Sequence, residues 1–193
     1  MDLQISVFLL FILFTAGHSL NCNVCLLGSC AQKTCSSGEN CLSLLYAGPN
    51  DISSATTKLC FPASNCTTGS LNIGSFKFSS YCCNTDLCNS QDASDPSNPP
   101  NGNKCYYCDG QNCSKVLSCS GSQDRCIKAT GTLANQTLKG CVSKSYCDGA
   151  ALLSGVDVGN FTCCEGNLCN GSQSVTQSVL ILCGSLLSYF LMH

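Results

Sequence analysis

Apolar residues in this chain come in short alternating runs, not in long stripes with a helical period. Residues 42–46 (Leu-Ser-Leu-Leu-Tyr) read as a strand, Ala47, Gly48, Pro49, Asn50 and Asp51 as a turn, and 54–59 as the returning strand. Residues 76–79 and 156–159 alternate as half-buried strands do. A second hairpin is predicted from 127–133 through Ala134 and Asn135 into 136–139. No long helical period interrupts this pattern between the two ends, so the predicted class is all-β.

The only unbroken apolar stretches lie at the termini. Residues 7–14 are too short to span a bilayer, and Gly17 and Ser19 supply small residues for a signal-peptidase site. Cleavage after Ser19 is expected, making 1–19 a signal peptide, although Asp2 gives its front end no basic residue. At the other end Asn170, Gly171 and Ser172 precede a polar spacer and the apolar residues 179–192. Small residues, spacer and a hydrophobic tail short of the ~20 residues of a spanning helix make a glycosylphosphatidylinositol (GPI) attachment signal. Asn170, Gly171 and Ser172 are the candidate attachment residues, and 171–193 is read as a propeptide that is removed.

Cysteine changes the picture most. The chain of 193 residues holds 21 cysteines and no tryptophan, the mark of a disulfide scaffold made in an oxidising compartment. Cys22, Cys25, Cys30, Cys35, Cys41, Cys60, Cys66, Cys82, Cys83 and Cys88 form one set. Cys105, Cys108, Cys113, Cys119, Cys126, Cys141, Cys147, Cys163, Cys164 and Cys169 form a second, offset by 81 to 85 residues. That is an internal duplication. The remaining Cys183 lies in the tail expected to be lost. Each set ends in a vicinal pair, and adjacent cysteines, about 3.8 Å apart at Cα, bond poorly to each other. One sulfur of each pair is therefore expected to turn upstream and the other toward the cysteine five residues on.

Residues 90–104 carry turn and breaker residues and no apolar period, and are read as a semi-rigid linker between modules 20–89 and 105–170. Independent motion of the modules is the default expectation. Domains of this size bury only about 60% of the surface their unfolded chains expose. Disulfides, each contributing about 3 kcal/mol for a 15-residue loop in the chain-entropy model, are expected to outweigh the apolar core. Spacing alone leaves their connectivity open.

Leu20-x-Cys22-x-x-Cys25 at the start and Cys-Cys-x4-Cys-Asn at the end of each module resemble the lymphocyte-antigen-six/urokinase-receptor (LU) family, in particular its two-module GPI-anchored members. The resemblance implies tandem three-finger (snake-toxin-like) domains. It implies the pairs Cys22–Cys41, Cys25–Cys30, Cys35–Cys60, Cys66–Cys82 and Cys83–Cys88, then Cys105–Cys126, Cys108–Cys113, Cys119–Cys141, Cys147–Cys163 and Cys164–Cys169. The fingers would span 22–35, 41–60 and 66–82, then 105–119, 126–141 and 147–163. It further implies that Asn89 and Asn170 hydrogen-bond back into the knot. The urokinase receptor has three such modules and this chain has two, so urokinase binding does not carry over.

Catalytic chemistry finds little footing. Both histidines, His18 and His193, fall in segments expected to be removed, leaving no imidazole base for a Ser–His or Cys–His pair. The carboxylates are scattered and no glycine-rich phosphate loop occurs, so no enzyme and no cofactor are expected. Cys22-x-x-Cys25 and Cys105-x-x-Cys108 could be zinc ligands, but even cysteine sets in a secreted chain point to disulfides, and no metal is expected. A formal charge of −2 with no basic run speaks against nucleic acid. Sequons stand at Asn65, Asn112, Asn135, Asn160 and Asn170. The last is also the family's structural asparagine and a candidate anchor residue.

The reading is a glycoprotein on the outer face of the plasma membrane, lipid-tethered and also expected in shed or secreted form. It would act as a receptor or co-receptor module for an extracellular or cell-surface protein. Asn135 sits at a predicted finger tip of the second module, so the ligand is expected on the first, around Tyr46, Pro49 and Asp51. Alternatives are a secreted inhibitor resembling plasma phospholipase inhibitors and a glycosylated microbe-binding barrier protein.

Overall fold

Vicinal cysteines at the close of each module dictate where its strands converge. A computed structural model of the chain describes residues 19–26, 28–48, 54–94, 99–131, 136–149 and 158–171. In the first module these form β1 (Asn21–Leu26), β2 (Ser29–Thr34), β3 (Glu39–Ala47), β4 (Ser54–Pro62), β5 (Gly69–Asn72) and β6 (Lys77–Cys83). The second contributes β7 (Pro100–Asp109), β8 (Asn112–Ser120), β9 (Arg125–Gly131), β10 (Thr137–Val142), a single helical turn α1 (Lys144–Asp148) and β11 (Val158–Cys164). The protein is a tandem of disulfide-rich three-finger domains. The strand pattern at 76–79 begins one residue later, in β6, while 156 and 157 lie outside the described residues.

Sulfur fills the interior of each module. Cys22 joins Cys41, Cys25 joins Cys30, Cys35 joins Cys60, Cys66 joins Cys82 and Cys83 joins Cys88. The second module repeats the scheme with Cys105–Cys126, Cys108–Cys113, Cys119–Cys141, Cys147–Cys163 and Cys164–Cys169. Cys22, Cys35 and Cys41 form one buried cluster and Cys105, Cys119, Cys126 and Cys141 another.

Closing each knot puts one leucine, Leu87 or Leu168, in the left-handed region at φ 53° and 59°. Such a conformation costs a non-glycine residue about 1–3 kcal/mol, and here each is pinned by hydrogen bonds. Leu87 N–H donates to the Asn21 carbonyl and Leu168 N–H to that of Lys104, both at 2.7 Å. Asp86 Oδ1 accepts from Asn21 N–H, as Asn167 Oδ1 does from Lys104 N–H.

The expectation of independent modules is corrected. β5 of the first module pairs antiparallel with β10 of the second, Leu71 opposite Val142 and Asn72 opposite Cys141. One sheet of nine strands results, ordered β11-β9-β10-β5-β6-β3-β4-β1-β2, with β7 and β8 as a separate ribbon. An isolated module would leave both edges unpaired. Residues 90–104 are not a free linker at either end. Lys58 Nζ reaches the Ser90 carbonyl at 2.7 Å and Asp92 at 2.9 Å, and Ala93 N–H donates to Ser43 Oγ. Residues 100–104 already belong to β7.

Apolar carbon collects at this seam. Leu71 and Phe78 of the first module pack with Ile127, Val142 and Tyr146 of the second, and Tyr46, Ile73, Phe76 and Phe161 lean on them. Tyr146 is fully buried, with its hydroxyl 2.6 Å from Ser80 Oγ and donating to the Gly69 carbonyl at 3.0 Å. Ser143 precedes α1 without capping it; its hydroxyl instead accepts the N–H of Ser70 across the seam. Three glycines permit the approach: a Cβ on Gly140 would lie 2.1 Å from the Asn72 carbonyl oxygen, one on Gly69 2.7 Å from Ser145 Oγ, and one on Gly74 2.4 Å from the Tyr107 ring.

Candidate interaction surface

Of Tyr46, Pro49 and Asp51, the residues the sequence nominates for ligand contact, Tyr46 alone is among the described residues. Tyr46 lies near the far end of β3, half-buried, its ring 6.0 Å from Phe76 and 6.2 Å from Phe78 between centroids. Burial pushes its phenol above the ordinary range. Its place on the β-pleat directs it toward the seam, so it serves the shared core rather than a finger tip. Pro49 and Asp51 lie outside the described residues, as do Asn135 and Ser172.

The sequon residues divide by surroundings. Asn112, at the turn from β7 to β8, and Asn160, on β11, are exposed, and Asn65 is partly exposed in a short 3-10 turn. Cys66 and Cys113, inside two of these sequons, are both in disulfides. Asn170 is different. It is 3% exposed; its Oδ1 accepts from Tyr106 N–H at 2.9 Å, and its Nδ2 donates to the carbonyls of Tyr106 and Ile127 at 2.9 and 2.8 Å. Asn89 makes the matching set in the first module, with Asn23 and Leu42 as partners. A glycan on Nδ2 would break these donations, and leaving the buried partners unpaired costs about 1–3 kcal/mol per group.

Two sulfur groups have the compactness of a metal site, Cys22 with Cys35 and Cys60, and Cys105 with Cys119 and Cys141, their sulfurs within 4.8 Å of one another. Each of these sulfurs is already in a disulfide and offers no thiolate. A cleft of about 220 Å³ opens at the seam beside Ser70, Ser79, Ser80, Tyr81, Ser120 and Ser122. Its walls are hydroxyls and glycines, which can hydrogen-bond a ligand but offer no acid or base near neutrality. Leu26 and Val116 are the most exposed large apolar side chains, at 56% and 51%. Among the described residues no helix is long and apolar enough to cross a membrane.

The sequence reading missed the seam itself. Gly140, inside a strand and next to a cysteine, carried the one signal that could have found it, because glycine in a strand interior marks a close backbone approach.

With the repeated knot and fingers in place, comparison with known proteins is decisive. Residues 18–91 match the u-PAR/Ly-6 domain, and residues 104–170 match the snake toxin and toxin-like protein family. The chain carries a u-PAR/Ly-6 domain. Among relatives of this u-PAR/Ly-6 chain, the bovine (Bos taurus) urokinase plasminogen activator surface receptor is 35% identical over 117 residues, 53% of this chain and 35% of that receptor. The rat (Rattus norvegicus) receptor is 34% identical over 125 residues, covering 55% of this chain and 38% of its own. The chain thus matches about a third of the length of these receptors. A crystal structure of mouse TEX101 aligns over 72% of this chain and 87% of its own at 18% identity, with a TM-score of 0.27, too loose to bear on the fold.

Proposed function

We propose that this protein is a GPI-anchored glycoprotein of the outer plasma-membrane face that acts as a protein-binding receptor or co-receptor. The observation that carries this reading is the identity of 34–35% to proteins named as surface receptors, on a scaffold whose interior is occupied by disulfides and leaves its loops free to vary. Gly171, partly exposed beside a buried Asn170, favours attachment at Gly171 or Ser172. The ligand is assigned to the first module, around the hairpin that joins β3 to β4 and carries Pro49 and Asp51. Three of the four sequons left once Asn170 is set aside, Asn112, Asn135 and Asn160, fall on the second module, which supports that assignment.

Two measurements on cells displaying the full chain test it. Phosphatidylinositol-specific phospholipase C is expected to release the protein, whereas protein already free in the medium favours the secreted inhibitor. A panel of extracellular proteins then yields a ligand, and replacing residues 48–53 by an unrelated hairpin is expected to abolish binding while secretion is unchanged. Undiminished binding by that variant rejects the assignment to this hairpin.

A further inference from the structure

β9 and β10 pair with Lys128 directly opposite Lys139, and directly opposed residues of an antiparallel pair share one face of the sheet, where like charges destabilise. Neither lysine makes an ion pair among the described residues. The acids of this module among the described residues are engaged elsewhere: Asp109 with Lys115, Asp124 and Glu165 with Arg125, Asp148 with Lys144. Lys139 is only 5% exposed, and its ammonium lies 5.8 Å from the centroid of the Tyr106 ring. Burial, and then the charge of Lys128, hold its pKa below that of an ordinary lysine. A buried cation with an aromatic face on one side and a like charge as its cross-strand neighbour lacks a counter-ion.

Where the two lysines stand suggests which anion. Lys139, Tyr106, Ser114 and Gly171 line a cleft of about 410 Å³; Lys128, Thr162, Asn170 and Gly171 line one of about 380 Å³. Among the described residues no carboxylate lines either cleft, and Gly171 belongs to both. Gly171 also lies against Tyr106, since a Cβ there would come 3.2 Å from the ring. Gly171 therefore has Lys139 beside it in one cleft and Lys128 in the other.

We propose that Lys128 and Lys139 form a phosphate-ester site beside Gly171, filled by the ethanolamine phosphate that links the chain to its GPI glycan. The proposal rests on the anchored reading above. From the carboxyl of Gly171 or Ser172, with about 3.5 Å per extended residue, that phosphate falls within about 10 Å of both clefts. Lysine suits it as a mobile point charge on a long stem. A phospholipid headgroup offers the same chemistry from a second source.

The test uses the full-length protein released from cells by phosphatidylinositol-specific phospholipase C, which leaves the ethanolamine phosphate on the protein. Its phosphorus-31 resonance is expected to be severalfold broader than that of the inositol phosphate left at the cut, which serves as a mobile reference. In Lys128→Gln/Lys139→Gln the line narrows, and in Lys128→Arg it stays broad. Sedimentation with phosphatidylserine vesicles is measured alongside. A narrow line in the wild type, with vesicle binding that the double variant loses severalfold, assigns the site to headgroup phosphate. A narrow line with no lysine-dependent vesicle binding overturns the site. If the phospholipase releases nothing, the anchored reading falls on its own account, and the vesicle measurement on the secreted protein alone decides the site.

Discussion

The knots and the seam are two solutions to one shortage. A module of about 70 residues cannot close a sizeable apolar core by itself, and inside each module the buried clusters are sulfur: Cys22, Cys35 and Cys41 in one, Cys105, Cys119, Cys126 and Cys141 in the other. The carbon core is pooled between modules, where Leu71 and Phe78 meet Ile127, Val142 and Tyr146. The knots are covalent, local and repeated, whereas the seam is non-covalent, spans the duplication and occurs once. Cross-links therefore set the shape of each finger. Packing decides whether two such units act as one body.

Removing a knot bond is expected to have the largest effect. Cys119 and Cys141 are fully buried, and their bond closes a sequence separation of 22. Replacing both by alanine costs about 3–5 kcal/mol, close to the whole stability of a small domain, so the double variant is expected not to be secreted. Because Cys141 sits in the strand that pairs with β5, the seam is lost with it. Normal yield from cells and wild-type near-ultraviolet circular dichroism would refute the primacy of the knots.

Gly140→Val attacks the seam and spares the sulfurs. The added Cβ would meet backbone, the Asn72 carbonyl at 2.1 Å and Ile73 Cα at 2.9 Å, so no side-chain rotation relieves it. Overpacking of this kind costs about 3 kcal/mol. The variant is expected to be secreted with every disulfide intact, to show a larger radius of gyration in solution scattering, and to unfold in two steps. At Gly69 the nearest obstacle is the Ser145 hydroxyl at 2.7 Å, which can turn away by giving up its bond to the Thr68 carbonyl, with Ser143 Cβ at 3.1 Å behind it, so Gly69→Ala is expected to cost less than Gly140→Val. A single wild-type transition for Gly140→Val would mean that the modules do not depend on this contact.

The two regions also differ in how far they could be read from residues alone. Strand runs at 42–46 and 54–59, the offset between the cysteine sets and the divergence of each vicinal pair all follow from local spacing, and the family resemblance supplies the pairing of the knots. The seam is built from residues whose local signals point elsewhere. Ser79 and Ser80 are small polar residues of the kind that face solvent, yet both are buried, Ser80 in contact with the Tyr146 hydroxyl and Ser79 donating to the Ser94 carbonyl. Tyr46 resembles a contact residue because it stands beside a turn, but its ring joins an aromatic row running through Phe78 to Tyr146. α1 spans five residues, too few to show a helical period, and it forms because the chain after β10 is held against β5. For the candidate ligand face, Pro49 and Asp51 rest on the sequence alone.

Tyr146→Phe makes the smallest change and tests the seam's chemistry rather than its shape. The ring stays against Phe78, 5.4 Å between centroids, but the hydroxyl's contacts with Ser80 Oγ and the Gly69 carbonyl are lost. Leaving such partners buried costs about 1–2 kcal/mol. The same hydroxyl gives the seam a signature in alkali. Burial drives the phenol well above its ordinary pKa of 10.0, outweighing the Ser80 hydrogen bonds that act the other way. In the folded state the group keeps its proton where an unfolded chain's tyrosine has lost it. Its contribution is therefore complete below about pH 10 and is lost as the pH climbs toward the folded-state value. Denaturant unfolding at neutral pH is expected to place the variant below the wild type, and above pH 10 the gap closes, because phenylalanine has no proton to lose. No gap at neutral pH would show that Tyr146 holds the modules together by its ring alone, and a gap that stays constant above pH 10 would show that burial does not hold the phenol protonated.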